Sequence, residues 1–119
     1  MSIVALNEEV LGFFNNLLHD LYFDVPEEGF ELEDGTLCIN LFDKEHCIHR
    51  DFVARYRLCI HEVVRVETLG DVHELPGDET QLNEMHFNAN QRLLSIDCVY
   101  PLKINCYIRE LRATLDQLV

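Results

Sequence analysis

The sequence predicts an α+β domain: an N-terminal helix packed on a mostly antiparallel sheet of about six or seven strands, with a short C-terminal helix as one option for the last residues. Three observations carry this. Apolar residues recur at spacings of three and four between Val10 and Leu18, alternation of period two dominates from Asp20 onward, and the visible connections are short. Short connections suit antiparallel meanders better than βαβ crossovers. The chain has 119 residues, 48% of them hydrophobic, which predicts one domain over 1–119 with a core that needs no staple.

The helix begins at Asn7, a capping residue, with Glu8 and Glu9 in the first turn where the helix dipole favours anions. Val10, Phe13, Phe14, Leu17 and Leu18 form its apolar stripe, which Val4 and Leu6 extend if the helix starts at Ser2. Leu21, Phe23 and Val25 then alternate with Tyr22 and Asp24 until Pro26 ends the run. Phe30 and Leu32 on one side, and Leu37, Ile39 and Leu41 on the other, flank Asp34-Gly35. That dipeptide marks a hairpin, because both turn residues adopt positive φ.

Residues 43–51 read as a polar connection. A long strand follows, with Phe52, Ala54, Tyr56, Leu58 and Ile60 on one face and Arg55, Arg57, Cys59 and His61 on the other. Its phase slips at Glu62, which a bulge or a turn between two strands explains. Residues 68–80, with Gly70, Pro76 and Gly77, read as a loop. Strands are expected over 82–87, 92–100 and 102–108. The leucines at 111, 115 and 118 return to helical spacing.

The net charge of −13 is unevenly spread. Residues 1–43 carry ten acids and no base, and residues 66–84 carry six acids and no base, whereas residues 44–65 are net basic. Such a surface repels phosphate backbones and anionic lipid, so nucleic acid and membrane are not expected partners. A basic protein partner is, and its encounter would be accelerated. No apolar run approaches the roughly 20 residues of a spanning helix. Residues 1–20 contain no Lys or Arg, so no secretory leader is read there and a cytoplasmic protein is expected. The five cysteines, at 38, 47, 59, 98 and 106, include no CxxC pair and sit mostly within apolar alternation, which predicts buried free thiols in a reducing compartment.

Few residues suggest chemistry. His46, Cys47 and His49, completed by His61 through the fold, are candidate metal ligands or the centre of a small enzyme, although HExxH and CxxC spacings are missing. A polar loop with surface imidazoles is the plainer reading. His19-Asp20 suits a capping role better than a general base, since adjacent residues on a strand face opposite ways. No GxSxG, glycine-rich phosphate loop or calcium loop occurs, and no cofactor is implied.

Residues 18–41, where Leu18-His19-Asp20 leads into an alternating strand and then Leu37-Cys38-Ile39-Asn40-Leu41, resemble the opening of small bacterial domains of the toxin-immunity type. The runs 93–99 and 102–108 are compatible with their closing strands. The resemblance implies a non-enzymatic binder of a protein partner. Steering charge is expected from Glu27, Glu28, Glu31, Glu33 and Asp34, and from Asp71, Glu74, Asp78 and Glu79. Tyr22, Phe30 and Phe87 are candidate aromatic anchors. Arg55 and Arg57 offer a basic face for an acidic partner or a second copy, so a homo-oligomer built through a sheet edge is a further alternative.

Overall fold

The first four described residues form a strand. In the computed structural model, which describes residues 2–26, 28–43, 53–70, 79–99 and 102–118, β1 (Ser2–Ala5) runs antiparallel to β9 (Ala113–Gln117), with Ile3 opposite Leu115. Helix α1 (Glu8–Leu18) follows; Asn7 caps it by accepting from the Val10 N–H at 3.0 Å. Its buried face is Leu11, Phe14 and Leu18, and Phe13 lies outside it at 48% exposed. The remaining strands are β2 (Tyr22–Asp24), β3 (Leu37–Leu41), β4 (Tyr56–Ile60), β5 (Val63–Leu69), β6 (Glu79–Asn88), β7 (Leu93–Cys98) and β8 (Lys103–Ile108).

The expected single sheet of six or seven strands is therefore corrected. Among the described residues, nine strands build two antiparallel sheets, ordered β1-β9-β4-β3 and β2-β6-β7-β8-β5. A bridge between Tyr22 and Phe42 joins the β3 end of one to the β2 end of the other. Side chains from both sheets and α1 meet in one core, centred on residues such as Phe14, Phe23, Leu58, Leu82, Ile96 and Leu115.

Three local causes account for the difference. Glu62 takes φ +57°, and the chain crosses there from β4 in the first sheet to β5 in the second, so the phase slip is a change of sheet. The C-terminal leucines do not make a helix: Leu111, Ala113 and Leu115 alternate into the core, while Leu118 is exposed. Ala113 carries too little hydrophobic surface to reveal the period of two in the sequence. The Asp34-Gly35 turn forms, at φ +52° and +74°, with Glu33 and Thr36 exchanging both backbone bonds at 3.0 Å. The ladder ends there, because β3 pairs with β4 rather than with the segment before the turn.

That pairing also corrects the reading of the cysteines. Cys38 stands directly opposite Cys59, with their Cα atoms 4.1 Å apart, and the two form a disulfide. Cys98 and Cys106 are free and buried, and Cys47 lies outside the described residues.

Candidate functional site

A groove of about 740 Å³ opens where β2 and β3 part. At its closed end Tyr22 and Phe42 exchange two backbone bonds, N–H to carbonyl at 2.9 and 2.8 Å. β2 lies on β6 throughout, with Tyr22 opposite Gln81 and Asp24 opposite Glu79, while beyond the bridge no described segment covers β3. Pro26 stands where the β2–β3 ladder would have continued, and it has no N–H to give. One wall of the groove is Asp24, Pro26 and residues 28–31; the other is β3 and Phe42.

The groove is acidic with an apolar seat. Asp24, Glu28 and Glu31 are exposed on its wall, Phe30 is half-buried between them, and among the described residues no cationic side chain lines it. The nearest guanidinium on β4, that of Arg57, is turned aside: its Nε donates to the Asn40 side-chain oxygen at 3.1 Å. Arg55 likewise bonds Asp43 at 2.9 Å, which raises its already high pKa, and lies over the Tyr56 ring.

The structure thus gathers only part of the expected set. Glu28, Phe30 and Glu31 line the groove, and Tyr22 closes it through its backbone. Glu33 and Asp34 belong to the neighbouring turn, and Glu79 is buried at 5% exposed, so it is no steering charge. Phe87 lies on β6, away from the groove lining. Glu27, Asp71, Glu74 and Asp78 fall outside the described residues, as do His46, Cys47 and His49. Asp24 and Asn40 were not foreseen; Pro26 signals the end of β2, but nothing local signals that β3 lies across from it.

His61 belongs to a different place. Its Nε2 is 3.0 Å from the Thr114 hydroxyl and its Nδ1 is 3.5 Å from that of Thr36. Burial foremost, then Arg112, lowers its pKa, while Glu62 opposes the shift. It lines a second cavity of about 400 Å³ with Asp34, Glu62, Arg109 and Arg112, where opposite charges balance. Among the described residues no three His, Cys, Asp or Glu side chains are grouped to hold a metal ion.

No helix of the described residues is long and apolar enough to cross a membrane. Compared with family models, with curated proteins and with solved structures, the chain matches none of them.

Proposed function

We propose that this chain is a non-enzymatic, acidic protein-binding domain that receives a basic partner, as an inhibitor of the immunity type would. The observation that supports it is the β2–β3 groove, where three exposed carboxylates surround an aromatic seat and no cation among the described residues competes for them. Carboxylates so placed steer a basic partner to the groove, and Phe30 offers apolar surface to bury on arrival. Steering is screened by salt, because the Debye length falls from about 30 Å at 0.01 M to about 3 Å at 1 M. The test is the association rate with a lysine-rich peptide across that range. The rate is expected to fall steeply, and a salt-independent rate removes the proposal.

Among the described residues no strand pairs with the outer edge of β5, which supports a second reading, a homo-oligomer. Ile108 donates to the Arg92 carbonyl at 2.9 Å, so alternate β8 residues bond β7, and Arg65, Glu67 and Leu69 are the β5 residues that bond β8. The backbone of Val66 then points outward. An antiparallel copy centred on Val66 places Arg65 opposite Glu67 in both directions. If so, Glu67→Arg abolishes a concentration-dependent dimer and adding Arg65→Glu restores it; a mass that stays monomeric at all concentrations removes this reading.

A further inference from the structure

Resting on the protein-binding reading, we propose that the groove takes an extended basic segment of the partner as an added strand on β3. The backbone of β3 is arranged for this. Phe42 donates its N–H to the Tyr22 carbonyl and accepts from the Tyr22 N–H, so both groups point away from β4. Backbone groups alternate sides along a strand, so those of Asn40 and Cys38 point the same way, into the groove. The 4.1 Å Cα separation of Cys38 and Cys59 gives the same parity independently, because only pairs without mutual backbone bonds approach that closely. Among the described residues, nothing pairs with those two donors and two acceptors.

The strand that would have satisfied them is the chain's own β2, and the chain withholds it. Continuing from the Tyr22–Phe42 bridge, Asp24 would face Asn40 and Pro26 would face Cys38. Instead β2 parts from β3 after the Tyr22 bridge and ends at Asp24, and Pro26 cannot donate. What is left is a slot whose longer hydrogen-bonding wall is β3, its five residues spanning roughly 17 Å at about 3.3 Å per residue. Its volume is that of a ligand cleft, about 300–1,000 Å³.

The opposite wall specifies the occupant. An extended peptide presents side chains alternately, so one set can meet Asp24, Glu28 and Glu31 while the other packs near Phe30. The segment that fits alternates Lys or Arg with Val or Thr. Acidic segments are repelled by the same carboxylates.

The experiment uses the full chain, with amide hydrogen exchange read at Cys38 and Asn40, and a peptide of about seven residues alternating Lys with Val or Thr. Saturation is expected to slow exchange at both amides by about tenfold or more. N-methylation of alternate peptide bonds, which removes ladder donors but keeps every charge, is expected to weaken binding by about tenfold or more. The double variant Glu28→Lys/Glu31→Lys, altered only at exposed positions, is expected to weaken it similarly while leaving the circular dichroism spectrum unchanged. If the methylated peptide binds as well and the two amides exchange as before, strand addition is overturned and the basic-partner reading stands. If neither peptide binds, that reading falls and strand addition with it.

Discussion

The carboxamide of Asn15 closes a two-bond ring on the backbone of Met85, accepting from its N–H at 2.8 Å and donating to its carbonyl at 3.0 Å. A helix side chain here does what a neighbouring strand does elsewhere. β2 is three residues long and β6 is ten, so among the described residues most of that β6 edge has no strand beside it. Helix α1 lies along that edge, and His19 Nδ1 adds a contact to the Asn83 carbonyl at 3.0 Å.

Asn15→Leu leaves both Met85 groups without a partner in a part-buried place. The cost is expected to be about 1–3 kcal/mol, seen as a lower urea midpoint. An unchanged midpoint would show that water replaces the amide.

Reduction of Cys38–Cys59, two residues separated by 21 positions, should cost about 3 kcal/mol by releasing the closed loop in the unfolded chain. Cys38 is exposed, so a thiol reagent reaches the bond in the folded protein. The melting temperature is expected to fall with reductant in the natural chain and to be insensitive to it in Cys38→Ser/Cys59→Ser. Equal responses in both proteins would refute this.

Burial holds the Cys98 and Cys106 thiols up to about 12, so both stay protonated at neutral pH. Iodoacetamide is expected to label them only after unfolding, by mass spectrometry of the peptides. Labelling of Cys106 in the native protein would contradict its full burial.

His61 is held below its ordinary value of 6.5, so the unfolded chain takes up the proton first as the pH falls. Stability from this group is complete above about 6.5 and declines as the pH drops below it, until the folded protein also protonates. His61→Gln should remove that part of the acid sensitivity. Melting curves at several pH values check it, and parallel profiles for the two proteins would disprove it.

Gly35 stands at φ +74°, and a Cβ there would sit 3.4 Å from the Val63 carbonyl oxygen. Its own carbonyl accepts from the Val63 N–H at 2.8 Å, tying the turn to the start of β5. Gly35→Ala is expected to destabilise by about 1 kcal/mol in denaturant titration, and a stabilised variant would mean the turn relaxes freely.

Local rules made parts of this molecule legible. The Asn7 cap, the stop at Pro26 and the positive-φ pair Asp34-Gly35 depend on residues within a few positions of one another, and the structure has all three. The helix face was legible only to within a rotation: Leu11 faces the core where Phe13 was expected, because the surface α1 covers is decided by β6 and β1. Of the groove, Glu28, Phe30 and Glu31 stood out as an acidic stretch with an aromatic. Asp24 and Asn40 did not, since an edge strand becomes a wall only when a second chain segment lies across from it.

The sequence by itself determined an acidic chain with one capped N-terminal helix and many short alternating strands, because charge, caps and alternation are properties of neighbouring residues. The tertiary structure decided which strands pair, that Cys38 meets Cys59, that Glu62 carries the chain from one sheet to the other, and that β2 lies on β6 and meets the β3 side only at Tyr22. Those outcomes are set by pairing between residues distant in the chain. Alternation shows which side of a strand is buried, and it is silent on which strand lies beside it.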